Sequence, residues 1–488
     1  MLYKKGCARL LFNSYEFIFL FLPFTIASFF CIGKRCHTAA TLWLVLASLF
    51  FYGWWDLRYV PLLCASICFN YFVGKRLEHL AAGYAIPAGG HVDASVPHSC
   101  FRKSWLAFGI IINAVLLGYF KYTDFFLGTA NLLAGIDIFH LQHIVLPLGI
   151  SFFTFTQAAY LVDAYRGQTR NQTFLTYCEF VTIFPHLIAG PIINHREMIP
   201  QFLAERTFHI QWDNVATGLA IFTLGLAKKV LIADKIAPWV NDVYARVDAL
   251  TMPEAWLGAL GYALQLYFDF SGYSEMAIGL GLLINLKFPL NFNSPYQSRS
   301  IIDFWRRWHM TLGLWVKNYL YIPLGGSRCG TARKLCNLFL SMLIIGFWHG
   351  AGWTYVVWGG LHGCLLIVNH LWRRLHITLP NILCWLLTFG SVVACLVVFR
   401  SENFHMAHSI LAAMVDFSRL PASINGALVK HLAAVFFLTF VTAVAPHPIA
   451  LVERYFHPTW RWCLPLAALL LYTITMLHDY TEFLYFQF

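Results

Sequence analysis

A chain of 488 residues that is 59% hydrophobic, 17% aromatic and only 12% charged lacks the polar surface of a water-soluble globular protein, in which about a quarter of the residues are charged. Its net charge of +11 does not indicate a nucleic-acid-binding protein, because the basic residues lie between apolar runs, as the positive-inside rule predicts for membrane proteins. The composition therefore predicts an all-α polytopic membrane protein, since helices satisfy their own backbone hydrogen bonds in lipid.

Membrane segments are predicted from runs that contain no Asp, Glu, Lys or Arg. About 20 mostly apolar residues suffice for one span, so the 38-residue run at Leu335–Trp372 could hold two. Shorter apolar segments near Val215–Ala227 and Ala255–Phe268 bring the expected total to about 11–13. In chain order the runs are Phe17–Gly33, Cys36–Trp55, Tyr59–Gly74, Ser104–Phe120, Ile138–Val162, Phe180–His195, Leu335–Trp372, Leu375–Phe399, His431–Val452 and Trp462–His478.

Two connectors separate some of these runs. Ala82–Lys103 is rich in Gly, Pro, His and Ser and is predicted to be a surface loop. Within Arg400–Lys430, four apolar residues recur at helical spacing: Ala407, Ile410, Leu411 and Met414. Such a helix either lies in the membrane interface or packs on a neighbouring span. With no repeat and no soluble domain, residues 1–488 are interpreted as one membrane domain.

Ionisable residues inside apolar segments are costly, so they are candidates for function. Asp163, Asp269 and Glu275 are of this kind, although they are more often polar contacts between helices. The polar residues Ser271–Ser274, next to Asp269, predict a break in the helix that carries it.

The segment Lys287–Lys334 holds eight basic residues and a single acid, Asp303, so charge bias predicts that it faces the cytosol. Closely spaced aromatic residues separate these charges. This composition is typical of amphipathic helices at a membrane surface. It also suits an anionic, partly apolar ligand such as an acyl-coenzyme A, whose phosphates need Lys or Arg.

His349 lies near the middle of the 38-residue uncharged run. The glycines around it would let backbone or ligand approach closely; they are Gly346, Gly350 and Gly352. A neutral buried imidazole is a possible general base, because its unperturbed pKa lies near working pH. A hydrogen-bonded core histidine is the commoner outcome. His309, in the basic segment, is a second candidate, and His362 is a weaker one.

Several long strings, in order along nearly the whole chain, resemble the membrane-bound O-acyltransferase superfamily, in particular the branch of the bacterial alginate O-acetyltransferase membrane subunit. The C-terminal FLYFQF is also similar to this branch. The strings are FPHLIAGPI at Phe184–Ile192, LQLYFDFSGYSEMAIGLG at Leu264–Gly281, FPLNFNSPYQSRSIIDFWRRWHMTLGLW at Phe288–Trp315, YLYIPLGG at Tyr319–Gly326 and FWHGAGWTYVVWGGLHG at Phe347–Gly363.

The resemblance implies a ring of tilted spans around a thinned centre, with a donor tunnel from the cytosol to a buried histidine. The near-invariant histidine of the family corresponds to His349, the expected catalytic residue, and the histidine of its RRWH string to His309, expected to line the tunnel. No metal is expected. The residues expected to bind the donor are Trp305, Arg306, Arg307, Trp308 and Lys317.

One position departs from the family pattern. Relatives usually carry Arg-Asp before the tyrosine, whereas Lys317 and Asn318 precede Tyr319 here. A positive charge is retained and an acid is lost, so a role for the Arg-Asp pair does not carry over.

The implied function is transfer of an acetyl group from cytosolic acetyl-CoA to a hydroxyl of an extracytoplasmic polysaccharide such as alginate, cellulose or peptidoglycan. Acetyl-CoA would be a substrate, with no permanently bound cofactor. The bacterial inner membrane is the expected location, and a periplasmic SGNH/GDSL-type protein is the expected partner. One alternative is a transporter or flippase of a lipid-linked glycan, which predicts polar residues along many spans. The other is a same-family enzyme that acylates a lipid, a protein or a teichoic acid.

Overall fold

The computed structural model describes residues 10–82, 100–169, 172–421, 423, 425–477 and 483–484. Most of the predicted polar loop at 82–103 therefore lies outside the described residues. Regular structure within these ranges is entirely helical, as the composition predicts. The α-helices are α1 Leu22–Gly33, α2 His37–Gly53, α3 Val60–Ala82, α4 Cys100–Leu117, α5 Thr123–Ala134, α6 Ile150–Tyr165, α7 Phe174–Thr182, α8 Phe184–Leu187, α9 His195–Phe202, α10 Trp212–Ala227, α11 Asp234–Ala245, α12 Met252–Leu283, α13 Ile301–Arg307, α14 Met310–Val316, α15 Gly330–His349, α16 Trp353–Trp372, α17 Asn381–Arg400, α18 Phe404–Val415, α19 Gly426–Val444, α20 Pro448–Tyr455 and α21 Trp460–Thr475.

Four π-helical segments adjoin these helices: Phe17–Phe21, Gly118–Tyr122, Lys228–Ala233 and Lys317–Tyr321. Short 3₁₀ turns occupy Leu57–Tyr59, Glu205–Phe208, Val247–Ala249, Pro295–Gln297 and Phe417–Arg419. The π segment at Lys228–Ala233 joins α10 to α11, so that Trp212–Ala245 forms one helical stretch of 34 residues. The helical stretch that contains the apolar segment predicted to end at Ala227 therefore continues to Ala245.

Six helical stretches in the described part of the chain are long and apolar enough to cross a membrane, since about 20 such residues suffice. They are Leu57–Leu80, Cys100–Ala134, Trp212–Ala245, Gly330–His349, Asn381–Arg400 and Gly426–Val444. Shorter apolar helical stretches occupy Phe17–Gly33, His37–Gly53 and Phe404–Val415. The multi-pass, all-α prediction is confirmed.

The chain divides into two compact units. The first comprises residues 1–218 and 277–289, and in it α1 packs on α2, while α6 packs on α3 and α4. Gly109 of α4 allows one of these contacts, because a Cβ there would come within 2.6 Å of Leu161 on α6.

The second unit comprises residues 219–276 and 290–488 and contains the main candidate histidines. Its α16 packs against α15, α17 and α13. Gly346 of α15 faces Gly359 of α16, and a Cβ on either would overlap the backbone of the opposite helix. Glycine is needed at this crossing because only glycine lets the two backbones touch.

Two expectations on local structure have different outcomes. The 38-residue uncharged run does hold two helices, α15 and α16, as predicted. The break predicted at Ser271–Ser274 is wrong, since α12 is continuous from Met252 to Leu283. Gly272 lies at a close crossing, where a Cβ would come within 2.7 Å of the Gly225 carbonyl oxygen.

The helix predicted in the second connector is α18. It buries Ala407, Ile410 and Met414 and packs on α17 and on the 3₁₀ turn Val247–Ala249. Trp256 of α12 also donates a hydrogen bond to the Met414 carbonyl at 2.9 Å. These contacts favour packing on neighbouring helices over a position in the membrane interface.

Candidate active site

The helix break at His349 positions the principal candidate. α15 ends at His349, and α16 begins at Trp353. Gly350 and Gly352 between them are extended, and a Cβ at Gly350 would overlap the ring of Tyr355. The glycines therefore serve close packing beside the histidine, and the chain reverses direction immediately after it.

His349 is buried, with 7% of its surface exposed, and it lines a small aromatic cavity. Its ring meets the edge of Trp358 at a centroid distance of 5.2 Å and that of Phe399 at 5.5 Å. The cavity volume is about 20 Å³, room for about one water molecule. Its lining is Leu266, Phe270, Phe304, Trp308, His349, Trp358, His362, Val392, Leu396 and Phe399.

His362, the weaker candidate from sequence, lines the same cavity as His349. Its Nδ1 accepts a hydrogen bond from Trp305 Nε1 at 3.3 Å, and its ring packs on Trp358 at 4.9 Å. Because a neutral imidazole carries one N–H, this hydrogen bond places the proton of His362 on Nε2. The two histidines are thirteen positions apart and line the same cavity, with the ring of Trp358 in contact with both, because α16 folds back on α15.

His309 lies outside the lining of this cavity but contacts one of its walls. It is buried between α13 and α14, and its ring meets the edge of Phe270 at 4.8 Å. Phe270 in turn lines the cavity that holds His349. The two histidines predicted from sequence are thus connected through one aromatic ring.

The five residues expected to bind a donor divide into two groups. Trp308 is buried and lines the cavity, whereas Trp305 is outside its lining and donates a hydrogen bond to His362, which lines it. Arg306 and Lys317 are exposed. Arg307 pairs with Asp303 at 3.0 Å and donates to the Asn293 carbonyl at 3.3 Å, which ties α13 to the preceding loop.

The acids that the sequence placed in apolar segments are all ion-paired. In α12, Glu275 pairs with Lys228 and with His447 Nε2 at 3.2 Å. Asp269 of the same helix pairs with Lys229 at 2.5 Å. Pairing of this kind is what makes buried charge tolerable, so these acids serve as polar contacts between segments.

The third acid, Asp163, lies in the first unit. It is fully buried and lies 3.4 Å from His195 Nδ1 and 3.5 Å from Arg196. Asp163 therefore also serves as a polar contact between segments, as Asp269 and Glu275 do.

Sequence reasoning missed the basic partners of these acids. Lys228 and Lys229 directly follow the segment predicted to end at Ala227, whereas in the structure they lie inside the helical stretch Trp212–Ala245. Asn291 was missed as well, although it hydrogen-bonds to His309 at 3.0 Å. Its position in the string NFNSPY gave no signal, because an isolated asparagine has no characteristic spacing.

The parts of the chain described here contain no candidate metal site. They contain no group of three or more His, Cys, Asp or Glu side chains placed to hold a metal ion. The residues around His349 are instead mostly aromatic and aliphatic, and they suit a neutral imidazole that takes up a proton transiently.

Comparison with known proteins identifies the family. The family model of MBOAT, the membrane-bound O-acyltransferase family, matches residues 108–399, a range that contains both His309 and His349. This chain belongs to the membrane-bound O-acyltransferase family. It is therefore an O-acyltransferase, and the expectation of a membrane-embedded enzyme in place of a transporter is confirmed.

Individual relatives of this O-acyltransferase carry related names. The chain is 42% identical to the peptidoglycan O-acetyltransferase of Helicobacter pylori, with 93% of this chain and 87% of the relative covered. It is also 42% identical to the probable alginate O-acetylase AlgI of Pseudomonas aeruginosa, over 84% and 75% of the two chains. A teichoic acid D-alanyltransferase of Bacillus subtilis is 29% identical over 54% and 70%.

Proposed function

We propose that this O-acyltransferase transfers acetyl groups from cytosolic acetyl-CoA to hydroxyl groups of a polysaccharide outside the cytoplasm. The observation that carries the proposal is the combination of family membership with a buried histidine at a helix break that lines a small, mostly apolar cavity. The similarity to proteins named for O-acetylation of peptidoglycan and alginate supports acetyl as the acyl group and polysaccharide as the acceptor class.

In this proposal His349 is the general base. Its imidazole takes the proton of the hydroxyl that first accepts the acetyl group, while the oxygen of that hydroxyl attacks the thioester carbonyl. The carbon–sulfur bond breaks, the acetyl ester forms, and the proton passes to the departing thiolate of coenzyme A. Exclusion of water from the cavity protects the thioester from hydrolysis. Since the cavity holds about one water, the acetyl group enters only if the surrounding aromatic side chains move apart.

The basic segment Lys287–Lys334 is assigned to the donor side. Arg306 and Lys317 are its exposed charges nearest to His309 in sequence and are available to the phosphates of coenzyme A. This assignment requires the segment to face the cytosol, as its charge bias indicates. The bacterial inner membrane is the matching location, and a periplasmic SGNH/GDSL-type protein is the proposed partner that completes transfer to the polymer.

Deletion of the gene from the bacterium that encodes the chain tests the function. We expect the strain to make normal amounts of its exopolysaccharide and peptidoglycan, with O-acetyl content lost from one of them. Ester-linked acetate released by mild base, divided by the amount of polymer, is the measurement. Loss of the polymer itself would indicate a glycan transporter, and unchanged acetylation of both polymers would exclude them as acceptors.

A further inference from the structure

Asn291 is completely buried in the loop between α12 and α13. Its side-chain oxygen accepts hydrogen bonds from His309 Nδ1 at 3.0 Å and Thr311 Oγ1 at 2.9 Å. Its side-chain nitrogen donates to Ser274 Oγ of α12 at 3.2 Å. Both ends of the amide are therefore engaged, and the oxygen is directed at the histidine.

The orientation of the Asn291 amide determines which nitrogen of His309 carries the proton. The backbone N–H of Thr311 lies 3.4 Å from the same side-chain oxygen, and a backbone N–H can only donate. The group facing His309 is consequently an acceptor, so Nδ1 must carry the proton. In a neutral imidazole this leaves a lone pair on Nε2.

The main chain of Asn291 also holds His309. His309 has φ 45° and ψ 53°, a left-handed conformation that costs an L-residue about 1–2 kcal/mol. The Asn291 carbonyl accepts the N–H of Met310 at 2.9 Å, and Asn293 N–H donates to the Arg307 carbonyl at 2.9 Å. Strained residues persist where the surroundings fix them, and they cluster at functional sites.

We propose that Asn291 is a positioning residue that fixes His309 as the Nδ1–H tautomer and thereby presents Nε2 as a hydrogen-bond acceptor to the acyl donor. The contact of His309 with the donor rests on the function proposed above. A donor group that meets Nε2 must itself carry a hydrogen, so an amide N–H of the pantetheine arm fits this contact and the thioester carbonyl does not.

Two aromatic rings pack against His309. The rings of Phe270 and Phe292 lie at 4.8 and 6.5 Å from it. Glu275 follows Ser274 on α12, but its carboxylate pairs with Lys228 and His447. Asn291 hydrogen-bonds to Nδ1 of His309, so we expect its substitution to change the tautomer.

Three variants in proteoliposomes that enclose a polysaccharide acceptor test the role in catalysis, with release of coenzyme A from acetyl-CoA as the assay. Asn291→Ala removes the acceptor and should lower kcat by about 10–100-fold, as loss of other histidine-orienting partners does. Asn291→Asp keeps an acceptor and should retain more activity, but a carboxylate stabilises the imidazolium, so the acid limb of the pH–rate profile should move to higher pH. Asn293→Ala is the matched control, since it changes an exposed asparagine of the same loop and keeps its backbone contacts, and it should leave that profile unchanged. Wild-type rates and pH profiles in both Asn291 variants would overturn the proposal.

The tautomer itself can be measured without any transfer activity. The measurement is the solid-state ¹⁵N spectrum of histidine-labelled protein in liposomes. Compared with the wild-type spectrum, the spectrum of His309→Gln should lack one protonated Nδ1 signal and one unprotonated Nε2 signal. Loss of a protonated Nε2 signal would overturn the proposal. A protein with the expected tautomer but no transfer would contradict the proposed function alone.

Discussion

Arg306 and Arg307 are neighbours in sequence but differ in what their guanidinium groups contact. Arg307 pairs with Asp303 and caps the Asn293 carbonyl, whereas Arg306 is exposed. Only Arg306 is thus presented to a ligand that approaches from water, and the two residues should respond differently to substitution.

The first prediction follows from this difference. Arg306→Gln should raise KM for acetyl-CoA by about 2- to 5-fold with little change in kcat, because an exposed charge contributes less than about 1 kcal/mol. The wild-type KM should also rise with ionic strength, since salt screens such contacts, and the variant should be less sensitive. Arg306→Lys retains the charge and serves as the control. Equal KM values and equal salt dependence in Arg306→Gln and wild type would show that the phosphates of coenzyme A do not bind at Arg306.

At the residue scale, the sequence predicts His349 as the catalytic residue but does not show its surroundings. The uncharged run with glycines around one histidine made His349 a candidate, and the family resemblance made it the expected catalytic residue. The hydrogen bond from Trp305 to His362 depends on the rotation of α13 against α16, and the contact of Asn291 with His309 depends on a loop conformation. Neither rotation nor loop conformation is encoded in a periodic pattern.

The crossing of α15 and α16 determines where His349 lies, and it depends on glycine. A Cβ at Gly346 would overlap the Tyr355 carbonyl and lie 2.9 Å from Gly359 Cα. Backbone cannot move aside as a flexible side chain can, so the helices would have to separate.

The second prediction tests this crossing. Gly346→Ala should destabilise the protein by about 1–3 kcal/mol, the usual cost of overpacking, and lower transfer activity because the helix break shifts. Gly360→Ala is the matched control on α16, since its Cβ would have an ordinary contact of 3.8 Å with Leu343. Monodispersity of the detergent-solubilised protein after heating is the measurement. Equal thermal midpoints for the two variants would show that the close crossing is not required.

At the element scale, most apolar runs contain helices, but the prediction of a membrane segment at Phe180–His195 is wrong, since that run holds only the end of α7, the four-residue α8 and the first residue of α9. Polar residues predicted helix ends poorly. The run around His349 held two helices, because glycines and an imidazole interrupt it without any charge. Ser271–Ser274 did not interrupt α12, because Ser271 lies 3.4 Å from Lys228 Nζ and Ser274 receives the amide of Asn291. Those partners come from distant parts of the chain, so local sequence could not reveal that the helix continues.

At the scale of the whole molecule, the proposed function requires acetyl-CoA to reach His349 from the cytosolic face of the membrane. The excess of eight basic residues over one acid in Lys287–Lys334 predicts that orientation. Composition alone was enough to establish the membrane class, since the low charge and high hydrophobicity leave no other solvent. The sequence does not identify the acceptor polymer, because acetylation of a hydroxyl group requires the same chemistry in different polysaccharides.

Sealed membrane vesicles of opposite orientation test the central claim most directly, because acetyl-CoA does not cross the bilayer. Inside-out vesicles should release coenzyme A from acetyl-CoA, whereas right-side-out vesicles should not. In inside-out vesicles, His349→Ala should lower the rate by about 10²–10⁴-fold, the range expected for general acid–base catalysis. His408→Ala, which changes an exposed histidine of α18, should match wild type. Release of coenzyme A by right-side-out vesicles, or near-normal rates in His349→Ala present at normal levels, would contradict the account.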